Sequence, residues 1–529
     1  MPGPREFFRI PAFDGGLVIN KHPTQLKPNE AARLRNVEFG KRGGLRRRFG
    51  YSAFGTGVSG STAWEGAIPF VVKSLAGIRF LIAFYNGIAY SCQLPGTTWT
   101  QFASGFTKGR KWGGAVYGNK LYYGNGVDPI HTFNLATLVD SVLSAASGTA
   151  PRGNVFAIYK NTLIVTGDEA QPHILYASAV GEPDRWDTSA DQALAQIIGA
   201  LDGEENIGVV PKGNVLKVIR SNGQAFSLDY DTNGVWRLDE DGVVTPCVAK
   251  YAVVQTENDI ITFGPDGVYS YGNQVSYFGG ERPGEISAKI SPLWDSFMPH
   301  PEYDYYLVSH SGAAGTYFKG NVLFACRTNG ASQNNRVLVT APGFNYAWSE
   351  WTGWNVGVFI TDPETEELWG LSSENGTVFQ ATNVYADGGT AIDFDYQSGA
   401  LTFDPPVRST VRWVYCDFLA DSGLSGTILI TTDENTAGQS FTLSTSAAGT
   451  GTSSGPLALE TAGTSPVGDS TAGTFTNLGD NVGRKAVLLK GRYVRCRVRT
   501  NQANIKFELY GLSYVQRQRT IQSYKYDHS

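Results

Sequence analysis

Short runs of β-branched, aliphatic and aromatic residues recur along the first three quarters of the chain, separated by tight-turn residues. Asn and Gly tolerate the positive φ that two-residue hairpin turns require, and the residues after them suit a pleated, buried surface. The pattern therefore predicts antiparallel hairpins rather than helices. Seven segments share this design, the last with an acidic turn: FYNGIAYSC (84–92), VYGNKLYYG (116–124), IYKNTLIVTG (158–167), VPKGNVLKVI (210–219), QTENDIITFG (255–264), FKGNVLFAC (318–326) and DPETEELWGL (362–371).

A second turn follows most of these hairpins about one strand length later, as at Asn125-Gly126 and Asn329-Gly330. Each unit therefore reads strand, turn, strand, turn, strand, and units begin roughly 30 to 60 residues apart, around the spacing of propeller blades. A blade cannot bury both faces alone, but blades arranged radially cover one another. Residues 66–390 are thus predicted to form a β-propeller, with seven blades expected and six or eight left open by the uneven spacing. ILYASAVGEPDRW (174–186) is expected to end the third strand of a blade, with Trp186 as a packing anchor.

From residue 391 the strands become longer, and several alternate apolar with polar residues, as in RYVRCRVRT. This alternation predicts a separate β-sandwich over 391–529. Residues 441–483, rich in Ser, Thr, Gly and Ala, are expected to be either a flexible insertion or an arm that orders against a neighbour. Residues 1–65 are predicted to form an N-terminal arm and basic hairpin that packs on the propeller or on a neighbour. The predicted fold class is all-β: a β-propeller followed by a C-terminal β-sandwich.

Composition supports an all-β fold and limits the classes of binding partner to expect. Of the 529 residues, 12% are aromatic, 17% are charged and 63 are glycines, which is typical of many short strands joined by tight turns. The net charge of −5 gives no reason to expect tight non-specific binding to nucleic acid, so any basic site must be local. The five scattered cysteines form no CxxC pair, which favours reduced, buried thiols. No apolar run is long enough for a membrane segment, and no signal peptide is evident.

Candidate catalytic groups are scattered. The six histidines have no metal-binding spacing, and no nucleophile elbow, Walker loop or dinucleotide fingerprint is present. The acidic stretches 229–242 and 362–367 are more typical of turns with solvated acids than of a glycosidase pair. SSENGTVF (372–379) is similar to the structural Asp-box turn of sialidase-like propellers. The tryptophans of 346–354 are expected to pack between blades, with a carbohydrate platform as the alternative. We therefore predict no catalytic residue, no cofactor, no metal and no enzymatic activity.

The strongest local charge lies in GKRGGLRRRFG (40–50). This run could face DNA phosphates in a channel or an acidic surface of an adjacent subunit. An ordinary solvated hairpin around Gly43-Gly44 explains it equally well. The candidate contact residues are Lys41, Arg42, Arg46, Arg47 and Arg48.

The segment around this run, residues 13–51, resembles the opening of a class of tailed-bacteriophage structural proteins. These begin with a Gly-Gly-Leu turn, then a Pro-x-Glu-Ala segment, a Leu-x-Asn-Val/Trp strand and Gly-x-Leu-x-x-Arg-x-Gly-Tyr. Residues 174–186 are similar to a second segment of the same proteins. The matching positions in the N-terminal segment are Gly15, Gly16, Leu17, Pro28, Glu30, Ala31, Leu34, Asn36, Val37, Gly44, Leu45, Arg48, Gly50 and Tyr51.

Such proteins resemble the tail nozzle or packaged-DNA stabilisation proteins of short-tailed phages. The resemblance implies a structural virion protein, assembled in the host bacterial cytoplasm, that forms a ring, expected to be a hexamer, below the portal and adaptor. The ring would extend the DNA channel and retain the genome until ejection. An acidic-leaning lumen would allow only transient, non-specific DNA contact. The N-terminal segment and the Ser/Thr-rich arm are the candidate interfaces.

Two alternatives remain open. One is a receptor-binding or polysaccharide-degrading tail protein with a sialidase-like propeller. The other is a host-type propeller scaffold, although the chain shows no WD dipeptide and no regular kelch period.

Overall fold

The structure is a computed structural model that describes residues 5–10, 12–40, 43–189, 193–230, 234–243, 247, 249–277, 280–295, 303, 306–402, 408–421, 423–445, 474–477 and 483–518. Within these ranges almost every regular element is a strand, and the helices are three short 3₁₀ turns. The predicted all-β class is confirmed. In this part of the chain no helix has the length and apolar character that a membrane crossing requires.

Six strands and one 3₁₀ helix precede the first blade. They are β1 (Arg5–Ile10), β2 (Gly16–Leu17), η1 (Pro23–Gln25), β3 (Glu30–Arg35), β4 (Val37–Phe39), β5 (Leu45–Arg47) and β6 (Gly50–Ala53).

Five antiparallel sheets follow, each built from consecutive strands. Blade 1 contains β7 (Gly66–Ala67), β8 (Val72–Lys73), β9 (Arg79–Tyr85), β10 (Ile88–Gln93) and β11 (Thr100–Ser104). Blade 2 contains β12 (Gly113–Tyr117), β13 (Lys120–Gly124), β14 (His131–Asn134) and β15 (Val139–Val142). Blade 3 contains β16 (Val155–Tyr159), β17 (Thr162–Asp168), β18 (Gln171–Ala177) and β19 (Leu194–Ile197). Blade 4 contains β20 (Asn206–Lys212), β21 (Val215–Arg220), β22 (Gln224–Tyr230) and β23 (Trp236–Val243). Blade 5 contains β24 (Val253–Gln255), β25 (Ile260–Phe263), β26 (Val268–Tyr277) and β27 (Gly280–Glu285).

Two further blades complete the propeller. After η2 (Ala288–Leu293), blade 6 contains β28 (Val308–Phe318), β29 (Asn321–Thr328), β30 (Arg336–Ala341) and, beyond η3 (Pro342–Phe344), β31 (Ala347–Trp351). Blade 7 contains β32 (Val356–Asp362), β33 (Glu367–Ser372) and β34 (Val378–Thr382), and takes its outer strand, β6, from the N-terminal segment.

The first strands of neighbouring blades lie side by side from β12 through β16 to β20, and from β24 through β28 and β32 to β7. Gly208 of β20 lies beside Val253 of β24, and Gly66 of β7 lies beside Trp112 at the start of blade 2, so the seven sheets form a closed ring. The ring closes between blades 1 and 7, where Phe70 forms a parallel bridge with Thr361 and the Val71 N–H donates to the Thr361 carbonyl at 3.0 Å. The hairpin turns have the expected positive φ, for example at Asn86 (51°) and Gly320 (79°). The sheet order therefore gives the seven-bladed propeller that the repeated turns predict.

The remaining strands form the sandwich and its link to the propeller. They are β35 (Ala386–Asp387), β36 (Thr390–Ala391), β37 (Phe394–Ser398), β38 (Leu401–Thr402), β39 (Ser409–Ala420), β40 (Ser425–Thr432), β41 (Gln439–Thr445), β42 (Thr474–Asn477), β43 (Gly483–Gly491), β44 (Tyr493–Thr500) and β45 (Phe507–Gln518). One sheet has the order β4-β5-β45-β39-β43, with β1 on β45. The other has the order β37-β44-β40-β41-β42, with β38 on β44.

The N-terminal segment belongs to both parts of the molecule rather than forming an arm on one of them. Strand β3 pairs with β37 of the sandwich and reaches β31 of blade 6, so that one sheet runs from the propeller into the sandwich. Strands β4 and β5 enter the other sandwich sheet, and β6 closes blade 7. Blade 1 begins at Gly66, and β37 of the sandwich begins at Phe394. Most of the predicted 441–483 insertion lies outside the described residues.

A single apolar core spans this junction, with side chains from the N-terminal segment, blades 4–6 and the sandwich. Phe13 packs edge-on against Tyr396 of β37, with 5.1 Å between ring centroids. Trp348, Trp351 and Trp354 are fully buried, which confirms that these tryptophans pack rather than form a surface platform. All five cysteines are buried free thiols, as predicted.

Candidate functional site

The predicted basic contact residues separate into three groups. Lys41 and Arg42 lie outside the described residues. The Arg46 side chain is about half exposed, and its Nε lies 2.7 Å from Oε2 of the buried Glu38. Arg47 and Arg48 are completely buried. The prediction that Arg47 and Arg48 contact DNA or a neighbouring subunit is therefore wrong, whereas a contact at Arg46 stays a prediction.

Arg48 links the N-terminal segment to blades 6 and 7. Its Nε donates to Oδ1 of Asn36 at 3.0 Å, and Nη2 donates to the Thr352 carbonyl at 2.7 Å. Both terminal nitrogens bind the Asp387 carboxylate, with Nη1 2.9 Å from Oδ1. A buried guanidinium is tolerated because its donors are paired in this way.

Arg47 points from the same strand into the sandwich and has mainly neutral partners. Its guanidinium donates to the carbonyls of Gln502 and Ile505, at 2.5 Å and 2.9 Å, and to the hydroxyl of Thr500. Burial lowers the pKa of Arg47 to about 10, an effect that the charge of Asp393 partly offsets. Arg46 pairs with the buried Glu38, Arg47 faces the sandwich and Arg48 faces the propeller. The described part of the basic run is therefore a structural joint.

Asn36 organises the same joint from the backbone. It adopts a positive φ of 56°, and its Nδ2 donates to Oγ1 of Thr352 at 3.0 Å and to the Asp393 carbonyl at 2.9 Å. Its Oδ1 also accepts the Thr352 N–H at 2.8 Å. A short polar side chain that tolerates this φ and offers both donors and an acceptor is required here.

Two matched glycines are fixed by close backbone contact. A Cβ on Gly50 would lie 1.9 Å from the Ala386 carbonyl oxygen. Gly16 has a φ of 70°, and a Cβ there would lie 2.6 Å from the Trp348 nitrogen. The residues that carry the N-terminal resemblance thus include those on which the propeller–sandwich joint depends.

Residues 174–186 occupy the predicted place. They begin in β18, the third strand of blade 3, and continue into a loop in which Trp186 is buried. The backbone N–H of Trp186 donates to the Ser147 carbonyl at 2.9 Å, and Arg185 forms an isolated parallel β-bridge with Ser147. The described loop is therefore a packing element, as expected.

The acidic stretches form ion pairs. Asp362 binds Lys73 at 3.2 Å and Arg79 at 3.0 Å, and so ties blade 7 to blade 1. Asp229 accepts the Tyr159 hydroxyl at 2.5 Å and also pairs with Lys160. Within the described residues, no group of three or more His, Cys, Asp and Glu side chains could hold a metal ion.

Sequence reasoning missed a polar cavity at the propeller axis. It has a volume of about 160 Å³ and is lined by residues at or near the inner strands of blades 2 to 6, namely Lys111, Asn154, Glu205, Asn206, Ile207, Ala249, Lys250, Tyr251, Gly312 and Ala313. These positions are far apart in sequence, and only the closed ring brings them together.

Tyr251 crosses the axis beside this cavity. Its hydroxyl accepts the Trp112 N–H at 3.1 Å and donates to the Trp112 carbonyl at 2.8 Å, which joins blade 5 to the non-adjacent blade 2. The Nζ atoms of Lys111 and Lys250 lie 5.6 Å and 5.9 Å from the centre of the Tyr251 ring. The axis of one propeller is therefore obstructed at this level.

Two lysines and one glutamate line the cavity. The Nζ of Lys250 is buried and has no hydrogen-bond partner among the described residues. Burial lowers the pKa of Lys250 well below its ordinary value, the charge of Lys111 lowers it further, and Glu205 opposes both. The Lys111 side chain reaches solvent, but the protein around it and the charge of Arg327 lower its pKa too.

The outer edges of the blades differ in how they are protected. The edges of blades 6 and 7 are covered by β3 and by β35, and β23 of blade 4 carries Asp239, Glu240 and Asp241. On the outer strand of blade 2, Val139 and Val142 are 60% and 54% exposed. We call the three exposed side chains Leu138, Val139 and Val142 the blade 2 patch.

No protein-family model and no curated protein matches the chain. BamB from Moraxella catarrhalis is 10% identical over 66% of this chain and 96% of its own, with a TM-score of 0.37. YCF48 from Cyanidioschyzon merolae is 10% identical over 63% of this chain and 98% of its own, with a TM-score of 0.42. A catalytically inactive virginiamycin B lyase from Staphylococcus aureus is 11% identical over 63% of this chain and 99% of its own, with a TM-score of 0.40. These structures are β-propellers, and similarity at this level says nothing about what the present chain binds.

Proposed function

We propose that this protein is a structural component of a bacteriophage tail, in which about six copies form a ring that extends the DNA channel and retains the genome until ejection. The observation that carries the proposal is the N-terminal segment. Its resemblance to phage tail nozzle proteins falls on residues such as Asn36, Arg48 and Gly50, which join the propeller to the sandwich. The resemblance therefore concerns the plan of the whole molecule rather than a surface detail.

The obstructed axis constrains where DNA would pass. Because Tyr251 bridges to Trp112 across the propeller, a DNA channel would run between copies of the chain and not through one propeller. A ring is the assembly that encloses such a channel.

The blade 2 patch supports lateral contact with a second copy. The outer edge of β15 pairs with no other described strand and carries exposed valines, and such an edge invites pairing or apolar contact. The comparable edges of blades 6 and 7 are covered by β3 and β35. A ring contact joins two different surfaces, and we assign the blade 2 patch to one of them.

The first test is the mass of the full-length protein in solution, measured by light scattering over a range of concentrations. We expect a species of about six times the 57.2 kDa chain mass. The double substitution Val139→Lys and Val142→Lys should shift this species to smaller ones. Gln101→Lys, on the polar outer strand of blade 1, is the matched control and should leave the ring intact. A ring that is unchanged by the double substitution would exclude the patch from the interface.

The tail function itself is tested in the phage that encodes this chain. A stop codon early in the gene should give particles that package DNA but lose it, measured as empty heads in electron micrographs and as nuclease-sensitive DNA. Particles that retain their genome and fail only to adsorb would favour a receptor-binding protein instead.

A further inference from the structure

We infer that the axial cavity of the propeller is a binding site for a phosphate ion that carries a hydroxyl, as inorganic hydrogen phosphate does. The inference is independent of the proposed tail function. It depends on the charge, the unused hydrogen-bonding groups and the size of the cavity.

The first argument is the unpartnered side-chain nitrogen of Lys250. Its Nζ is buried and lacks a partner among the described residues, while a buried amine without a counter-charge is costly. Lys111 and Lys250 approach the same Tyr251 ring, so the ring brings two lysine nitrogens to one place. An oxyanion there would supply the acceptor that the Lys250 Nζ lacks and would favour its protonated form.

The second argument is the balance of charge around the cavity. Lys111, Lys250 and Glu205 line it, and the charges of Arg327 and Glu65 act on Lys111 from outside the lining. The two oxygens of Glu65 already accept the N–H groups of Gly87, at 3.1 Å, and Gly109, at 2.7 Å. Glu205 thus remains the one carboxylate among the lining residues against two lysines, which favours an anionic ligand.

The third argument selects phosphate over other oxyanions. Asn206 lines the cavity, and its buried Oδ1 has no donor among the described residues. Its amide orientation is fixed because Nδ2 donates to Oγ1 of Thr166 at 3.0 Å, and that hydroxyl donates onward to the Ile174 carbonyl at 2.7 Å. The ligand should therefore carry a donor as well as acceptors. Hydrogen phosphate offers both, whereas sulfate and the phosphodiesters of DNA have no O–H at neutral pH.

The volume agrees with a small ligand. A cavity of about 160 Å³ has room for a phosphate group and a few waters. Gly113 leaves space for the lysine, since a Cβ there would lie 3.1 Å from the Lys250 Nζ.

The test is thermal unfolding of the full-length protein during titration with phosphate at constant ionic strength, with chloride as the balancing ion. A ligand that binds only the folded state raises the melting temperature in a saturable way. We expect saturable stabilisation of the wild type, and an apparent dissociation constant at least about tenfold weaker in Lys250→Met. Lys120→Met, an exposed position of blade 2, is the matched control and should behave as the wild type does.

Two further titrations test whether the site is specific for phosphate. Sulfate stabilises proteins non-specifically as phosphate does, so equal saturable stabilisation by sulfate would overturn the phosphate assignment. A short single-stranded oligonucleotide should not compete, and competition would identify a DNA contact instead.

In chloride alone, Lys250→Met should melt at a higher temperature than the wild type because it removes an unpaired buried amine. A lower melting temperature would show that Lys250 already has a partner and would contradict the inference.

Discussion

At the scale of single residues, Arg47 at the end of β5 and the adjacent Arg48 are buried charged side chains that stabilise the fold rather than bind a partner. Arg48 satisfies its guanidinium with Asn36, Asp387 and backbone carbonyls inside the protein. Removing one member of such a set leaves the others unpaired, and that cost exceeds the net contribution of the intact pair.

We expect Arg48→Met to lower the free energy of unfolding by about 3–5 kcal/mol, because Asp387 and Asn36 lose a buried partner. Arg48→Lys should recover part of the loss, since it keeps the charge but not the two-pronged contact. Urea unfolding measures both. The control is Arg110→Met, which removes an exposed pair with Glu169 and should cost less than about 1 kcal/mol. Equal effects at both positions would contradict the assigned role of Arg48.

Glu38 gives a pH prediction at the same joint. Burial raises its pKa above the ordinary value of 4.5, although Arg46 and the Phe49 N–H oppose the shift. A raised folded-state pKa means that the folded state holds the proton more tightly, so the wild type loses stability as pH rises from 4.5 through the folded pKa. Glu38→Gln lacks this titration. Its stability relative to the wild type should therefore increase over that pH window in urea unfolding, and a decrease would contradict the assignment.

The burial of Arg47 and Arg48 could not be predicted from the sequence, because a run of basic side chains most often lies on a solvated surface. What buries Arg47 and Arg48 is the return of the chain hundreds of residues later, at Asp387, Thr500 and Gln502. The axial lysines were missed for the same reason. Lys111 and Lys250 belong to unremarkable turns, and only closure of the ring brings them together.

At the scale of elements, the hairpins were predictable and the shared strands were not. Turn residues such as Asn86 and Gly320 carry a local signal, because their positive φ sets the hairpin. Strand β6, in contrast, is four residues long and pairs with β34 more than three hundred residues away. Its sequence, GYSA, contains no sign of that partner. Long-range pairing of this kind is a property of the closed ring.

Strand β6, which closes blade 7, gives the next prediction. Gly50 lies against the Ala386 carbonyl, and its N–H donates to the Val384 carbonyl at 2.7 Å. Gly50→Ala should lower the free energy of unfolding by about 1–3 kcal/mol, because the new methyl group meets backbone atoms that cannot rotate away. Gly343→Ala is the matched control: no atom lies within 4 Å of its added Cβ, and its effect should stay within about 0.5 kcal/mol. Equal losses of unfolding free energy at the two sites would rule out the contact between Gly50 and the Ala386 carbonyl as the cause.

At the scale of the whole molecule, the propeller and the sandwich share structure instead of touching at a surface. The N-terminal segment contributes strands to both, and one sheet continues from β31 through β3 to β37. The Val37 carbonyl accepts the Ser349 hydroxyl at 2.9 Å and the Trp351 Nε1–H at 3.1 Å. A division at residue 391, natural from the sequence pattern, therefore cuts through a common core.

This sharing predicts how the molecule unfolds. Calorimetry of the full-length protein should show blades 4–6 and the sandwich melting in one transition, because their apolar side chains form one continuous core. A fragment ending at residue 391 should melt well below the full chain or fail to fold, since it exposes Phe13 and other side chains that pack against sandwich residues such as Tyr396. Tyr396→Ala in the full chain should lower the melting temperature of that single transition without splitting it. Two separate transitions in the wild type, with Tyr396→Ala affecting only one of them, would mean that the propeller and the sandwich fold as independent domains that the N-terminal strands merely connect.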